Sequence, residues 1–334
     1  MDVGKFPAPL LERLLGKVTV ADPRVLVGPK IGEDAAVIDM GDQLLVAKTD
    51  PVTFATDAIG WYAVQVNAND VACTGGVPKW FLATLLVPPK FSEDDAERVF
   101  DQIVDACRTL DIALIGGHSE VTHGIDRPIV LGSMLGEVDR DRLIHTGGAR
   151  EGDSIVLTKG IAIEGTALLA RDYAASLRQA GMSPDLIEKC STLLSNPGIS
   201  VLKDAQLACA VAEVHSMHDP TEGGLATALR EVARASGLGL AVEEGSIPVL
   251  PECQAVCQAL GLDPLGMLAS GALLITLPAG QVPRLILALE RQGIAGWEIG
   301  QMLAPEEGLI LIGHEGEVAL PEFSRDELAR YLAR

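Results

Sequence analysis

Three aspartates stand where predicted strands or helices meet loops: Asp34 in Ile31-Gly-Glu-Asp-Ala-Ala36, Asp50 in Ala47-Lys-Thr-Asp50 and Asp70 in Asn67-Ala-Asn-Asp70. Carboxylate oxygens are hard donors, and Mg²⁺ typically takes one or two of them together with phosphate oxygens and water. A carboxylate about 4 Å from a phosphate charge costs roughly 4 kcal/mol at an effective dielectric near 20, so such acids hold a polyphosphate only through a bridging cation. Their sequence separation excludes one short metal loop; a sheet and a helix have to bring them together. Taken one at a time, each is more simply an ordinary turn residue or helix cap.

Two further segments bear on anion binding. Leu114-Ile-Gly-Gly-His-Ser-Glu120 reads as a strand running into a turn, where two glycines let backbone approach a bulky anion and successive N–H groups form a nest. As a lone Gly-Gly it is an ordinary tight turn. His218-Asp-Pro-Thr-Glu-Gly-Gly-Leu225 precedes Leu225, Leu229, Val232 and Ala233 at helical spacing. Asp219, Pro220 and Glu222 fit a capping box with proline in the first turn, and a glycine-bearing helix N-terminus is also a phosphate site; both readings stand.

Other signals fail. Around Gly16-Lys17-Val18 a phosphate-binding loop would need glycine at Leu11 and a hydroxyl at Val18, and Gly237-Leu-Gly239 lacks the third glycine of a dinucleotide loop. Cys253 with Cys257 and His215 with His218 offer pairs where structural zinc needs four ligands.

The elements that must position these residues alternate short apolar runs with longer amphipathic stretches, an α/β (α+β) pattern. Strands are expected over 43–47, 79–86, 112–115 and 154–158, near 212–215, and over 272–277 and 309–312. Helices are expected over 58–74, 92–109, 164–180, 184–194, 199–212, from the 219–224 loop to 236, and over 251–260 and 283–292. Small and polar residues at Thr146-Gly-Gly-Ala-Arg-Glu-Gly-Asp153 divide two apolar blocks, giving domains 1–148 and 149–334. With 334 residues and 48% apolar content a sizeable core is assured and disorder is excluded. The 26 Lys and Arg against 46 Asp and Glu leave a formal charge of −20, so nucleic acid and anionic membrane are poor partners. The first thirty residues lack a signal-peptide h-region and no long apolar run follows, which points to a cytoplasmic protein. Six dispersed cysteines are expected to be reduced thiols.

Order and spacing add what single motifs lack. Gly-Glu-Asp-Ala-Ala (32–36), Thr-Asp (49–50), Asn-x-x-Asp-Val-Ala (67–72) with Gly-Gly-x-Pro (75–78), Gly-Gly-His-Ser-Glu (116–120), Leu-Thr-Lys-Gly (157–160) and Asp-Pro-Thr-Glu-Gly-Gly-Leu-Ala (219–226) resemble the aminoimidazole ribonucleotide synthetase, or PurM-like, superfamily. Within it the chain looks most like the HypE-like hydrogenase maturation proteins. The resemblance implies two domains: an N-terminal one pairing with a second subunit in a dimeric β-barrel, and a C-terminal α/β one, with ATP between them and its phosphates held through Mg²⁺. Carried over residue by residue, it makes Asp34, Asp50 and Asp70 metal ligands and Asp50, Asp70 and Glu120 catalytic. Lys48, Thr49, Gly116, Gly117, His118, Ser119, Asp219, Gly223 and Gly224 become nucleotide contacts.

The implied reaction is attack of an acceptor oxygen on the γ-phosphoryl group of ATP, phosphorylating or dehydrating a small amide, carbonyl or phosphate ester. The implied partners are a second copy of the chain and a small-molecule acceptor or maturation partner protein. Thiamine-monophosphate kinase, purine cyclo-ligase and non-catalytic nucleotide binding are the alternatives. Two departures bear on the subfamily: the last cysteine is Cys257, so the C-terminal thiol of HypE is unmatched, and Glu33 stands where a second aspartate is common. The N-terminal reactive Cys or Sec of selenophosphate synthetase is also unmatched, since the first cysteine is Cys73.

Overall fold

The computed structural model describes residues 4–6, 8–30 and 32–333; Ile31, the first residue of the motif around Asp34, lies outside the described residues. The chain forms two units, a first of Val20–Gly28 and Asp34–Leu143 and a second of Met1–Thr19, Pro29–Glu33 and Ile144–Arg334. Helix α1 (Ala8–Leu15) therefore belongs to the second unit.

The first unit is built from β1 (Val25–Val27), β2 (Ala36–Asp39), β3 (Leu44–Val52), α2 (Ile59–Cys73), β4 (Val77–Val87), α3 (Glu93–Thr109), β5 (Ala113–Val121) and β6 (Ile129–Val138). Its sheet runs β1-β2-β3-β6-β4-β5, antiparallel except for β4 and β5, which α3 joins as a crossover. Alternation decides the faces: along β4 Phe81, Ala83, Leu85 and Val87 are buried, while Trp80, Leu82, Thr84 and Leu86 on the other face are half-buried. Helix α2 lies against β3, β6 and β4 and is buried almost all round, so its polar Asn67, Asn69 and Asp70 face protein, not water. Ser92 caps α3, its hydroxyl accepting from the Asp95 N–H with three acids in the first turn.

One expectation about this unit is overturned. Residues 116–120 are not a turn after a short strand: β5 continues through them to Val121 as an edge strand. Gly116 and Gly117, at φ +150° and +151°, are extended in a region that glycine alone enters freely, and they do not form an anion nest. A Cβ on Gly117 would sit 1.9 Å from the Ala83 carbonyl oxygen, so the glycine is what lets β5 lie against β4.

The second unit continues with β7 (Asp153–Thr158), α4 (Ile163–Asp172), α5 (Ala174–Gln179), α6 (Pro184–Thr192), α7 (Leu202–Val211), β8 (Ser216–His218), α8 (Gly224–Ser236), β9 (Gly239–Glu243) and α9 (Pro251–Leu260). It ends with β10 (Leu274–Pro278), α10 (Val282–Glu290), β11 (Gly296–Leu303), β12 (Leu309–Gly313), β13 (Gly316–Ala319) and α11 (Glu327–Leu332). Its sheet runs β13-β12-β9-β11-β7-β10-β8. Leu225, Leu229, Val232 and Ala233 bury one face of α8 in the same cluster as Ile155, Leu157, Leu240 and Leu274, as the helical spacing predicted. The single helix predicted over 164–180 is two, divided at Tyr173, and the strand predicted near 212–215 forms instead at Ser216–His218. Among the described residues no helix is long and apolar enough to cross a membrane.

Candidate functional site

Strand β3 and helix α2 assemble the strongest cluster. Lys48 and Asp50 are two apart on β3 and share a face. The Lys48 ammonium stands 3.4 Å from the Asp50 carboxylate and 3.3 Å from that of Asp70 on α2. Lys48 and Asp70 are largely enclosed, with side-chain exposures of 18% and 6%, whereas Asp50 keeps 42% of its side chain open. Two carboxylates thus share one monovalent cation and retain oxygen for a harder one. This all-oxygen donor pair, already gathered around positive charge, fits Mg²⁺.

Asn67, one helical turn before Asp70, fixes the height of Asp50. Its side-chain oxygen accepts the Asp50 N–H at 2.8 Å, and its amide donates to the Asp50 carbonyl at 3.2 Å and the Ala63 carbonyl at 2.8 Å. It fits because Gly132 lies opposite Asp50 on β6: a Cβ there would come within 2.3 Å of Asn67 Nδ2. Thr49, facing the other way, donates to the Gly132 carbonyl at 2.7 Å and accepts from Ser133. Asp34 places a carboxylate oxygen within 4.8 Å of the Cys73 thiol, at the α2 turn that follows Asp70.

Glu120 does not join this cluster. Asp50, Gly132, Ala83 and Gly117 pair in one row across β3, β6, β4 and β5. At about 4.8 Å per strand the Gly-Gly-His-Ser-Glu residues lie roughly 14 Å from β3 along that row. There the His118 Nε2 meets the Glu120 carboxylate at 3.2 Å, both exposed. Gly116, Gly117, His118 and Ser119 border a cleft of about 430 Å³ whose other walls are Phe100, Ile103 and Leu114.

In the second unit Asp219 is buried, but it does not cap α8. The capping-box reading is overturned: the helix begins at Gly224, the preceding Gly223 has φ +83°, and no side chain caps it. The Gly223 N–H donates instead to Asp326 Oδ2 at 2.7 Å. Gly224 is needed because a Cβ would lie 2.4 Å from the Leu265 carbonyl oxygen.

Around this loop the structure adds residues that sequence reasoning missed. Burial pushes the Glu164 carboxyl up to about 7; the Ser270 hydroxyl beside it pulls the other way, and the charges of Asp326, Glu222 and Asp219 add to the rise. Burial likewise pushes Asp326 up to about 6, against backbone N–H donors of Gly223, Leu328 and Leu268. Nothing in the pattern Ile161-Ala-Ile-Glu-Gly165 distinguished Glu164 from a solvated first-turn acid, whereas Asn67 was signalled by its helical spacing to Asp70.

The remaining candidates are structural. His218 pairs with Glu231 at 2.9 Å and His215 with Asp153 at 2.8 Å. Burial pushes the thiols of Cys253 and Cys257 up to about 12.

Comparison with known proteins addresses the family and the fold. Residues 32–138 match the AIR synthase related protein N-terminal domain, and residues 150–312 match its C-terminal domain. A putative hydrogenase expression/formation protein of Methanocaldococcus jannaschii is 29% identical over 296 residues, covering 85% of this chain and 84% of that one. The carbamoyl dehydratase HypE of Azotobacter vinelandii is 31% identical over 287 residues, covering 83% and 80%. The crystal structure of a hydrogenase maturation protein HypE in complex with ATP superposes with a TM-score of 0.72 over 98% of both chains; at 22% identity this is a likeness of fold. The chain is a member of the AIR synthase related, PurM-like superfamily and belongs with its HypE-like proteins.

Proposed function

We propose that the protein is an ATP- and Mg²⁺-dependent HypE-like enzyme that activates a small amide, carbonyl or phosphate-ester oxygen by phosphorylation or dehydration. The observation that carries this reading is the convergence of Asp50 and Asp70 on one ammonium, held in place by Asn67. The similarity to proteins named carbamoyl dehydratase and the ATP-bound fold neighbour support it.

Asp50 and Asp70 would hold Mg²⁺, with Asp34 as the third ligand, and Lys48 would offset phosphate charge; the ion, when bound, would supply electrostatic stabilisation of the transferring γ-phosphoryl group. Gly116, Gly117, His118, Ser119, Asp219, Gly223 and Gly224 are assigned to nucleotide contacts and Glu120 to the acceptor; Thr49, whose hydroxyl is spent on the Gly132 carbonyl on the other face of β3, drops out of the nucleotide set. Positioning and electrostatics supply most of such catalysis, so no dedicated base is required.

The domains are assigned as 1–148, binding nucleotide and metal, and 149–334, completing the enzyme. A homodimer is supported by the half-buried Trp80, Leu82, Leu131 and Leu135 on the open face of the first sheet, and by the exposed edge β5 with Ile115 and Val121. The assigned compartment is the cytoplasm, and a maturation partner protein is the alternative to a free acceptor.

The test is ATP turnover to ADP with Mg²⁺ across a panel of acceptors. Asp50→Asn is expected to lower turnover at least about tenfold, roughly 1.4 kcal/mol of barrier; undiminished turnover overturns the site. Thiamine monophosphate or a purine-pathway amidine as the preferred substrate would move the protein to another branch. Tight ATP binding without turnover would make it a non-catalytic partner.

A further inference from the structure

The N-terminal segment lies on the 219–224 loop and on α8, within the second unit. Lys5 grips the loop twice: its backbone N–H donates to Glu222 Oε2 at 2.9 Å and its ammonium donates to Thr221 Oγ1 at 3.1 Å. The same ammonium stands 3.9 Å from Glu231, whose other oxygen meets His218 at 2.9 Å. Gly4, at φ +124°, lets the chain run close over this carboxylate; a Cβ there would sit 3.4 Å from Glu222 Oε2.

The contact continues along one face of α8. Glu12 pairs with Arg234 at 2.8 Å, the Lys30 ammonium reaches the Ala235 carbonyl at 3.5 Å, and Gly32 backs onto the Glu231 carbonyl. Positions 231, 234 and 235 follow the three-and-four spacing of one helical stripe.

The two sides of the loop are held differently. Gly223 is fastened from inside by buried Asp326, and Asp219 and Pro220 are themselves buried. Thr221 and Glu222 are half-buried, and Lys5, with half its side chain exposed, reaches them from the solvent side. Bonds of that exposed kind break and re-form readily and weaken with salt.

We propose that Lys5 is a positioning residue: its ammonium latches the N-terminal strap to Thr221 and thereby helps to set the shape of the 219–224 loop for nucleotide binding. The proposal rests on the assignment of that loop to the nucleotide. Held from both sides, the loop keeps Gly223 and Gly224 in their left-handed conformations. Without the ammonium, the loop keeps its bonds to Asp326, to the Ala269 N–H and to the Lys5 backbone N–H.

The experiment compares wild type, Lys5→Ala and Lys5→Arg in the full chain by hydrogen exchange and by ATP kinetics. Lys5→Ala is expected to raise exchange across 221–225 about threefold, the size a lost surface ion pair gives. It should raise KM for ATP by a similar factor with kcat held, while Lys5→Arg restores both. Wild-type exchange at 221–225 in Lys5→Ala overturns the latch. Raised exchange with an unchanged KM leaves the latch standing and overturns the nucleotide assignment of the loop. Loss of all ATP turnover in Asp50→Asn reports on the first unit alone and keeps the two failures apart.

Discussion

Each unit contains a lysine held by aspartate, and the two arrangements differ in charge balance and in access. Lys159 is sealed: its ammonium donates to the Ser200 carbonyl at 2.6 Å and pairs with Asp204 at 3.1 Å, with side-chain exposures of 6% and 2%. One cation meets one anion. Lys48 meets two carboxylates, one of them open to solvent, so its cluster carries excess negative charge. A closed, balanced pair specifies structure. An open, unbalanced one has room for a ligand of the missing sign.

The comparison breaks most visibly at Asp204. Removing one partner of a buried pair leaves an uncompensated charge, so Asp204→Ala is expected to cost about 3–5 kcal/mol in urea unfolding. Burial already holds the Lys159 ammonium below its usual range, and only Asp204 opposes that. Asp70→Asn should cost clearly less, because Lys48 keeps Asp50. Equal losses in the two variants would erase the distinction.

The second unit also holds a buried carboxyl whose proton affinity is raised. Glu164 ionises at about 4.5 unfolded and about 7 folded. A raised carboxyl pKa means that the folded state binds the proton more tightly. Its contribution is therefore full below the unfolded value and is lost as pH rises toward 7, about 3 kcal/mol in all. Unfolding midpoints should fall between pH 5 and pH 7.5, and Glu164→Gln should flatten that slope. A variant with the wild-type slope would place the titration elsewhere.

Much of this was legible in the residues because its cause is local. The apolar stripe of α8, the Ser92 cap and the acid at one turn from Asn67 follow from periodicity and side-chain reach. The errors fall where tertiary contact overrules local preference. Gly116-Gly117 looked like a turn, but its small size serves the approach of β5 to Ala83. Asp219 looked like a cap, but Asp326, more than a hundred residues away, takes the Gly223 N–H. Strands β1, β2, β6, β9, β11 and β13 went unmarked. Glu164 was invisible because burial, and not residue type, gives it its proton affinity.

Two smaller effects sharpen the contrast at Lys48. Gly132→Ala would press a methyl group against Asn67 Nδ2 and the Phe81 ring, an overpacking worth about 1–3 kcal/mol. If Asn67 acts by fixing Asp50, kcat should fall about tenfold, further than in a variant of equal stability loss elsewhere in the first unit. A fall in stability alone would make Asn67 an ordinary packing residue.

Lys48→Met leaves the enclosed Asp70 carboxylate without its cation and should cost stability, though less than Asp204→Ala because Asp50 is open to solvent. Its effect on ions is the sharper test. The ammonium and a divalent cation compete for the Asp50 and Asp70 oxygens, so removing it should tighten Mg²⁺ binding without nucleotide while weakening ATP binding. Calorimetric titration of Mg²⁺ and of ATP into wild type and variant separates the two. Should both affinities fall together, Lys48 would be holding the aspartates in place, and the first unit's pair would be as structural as the second's.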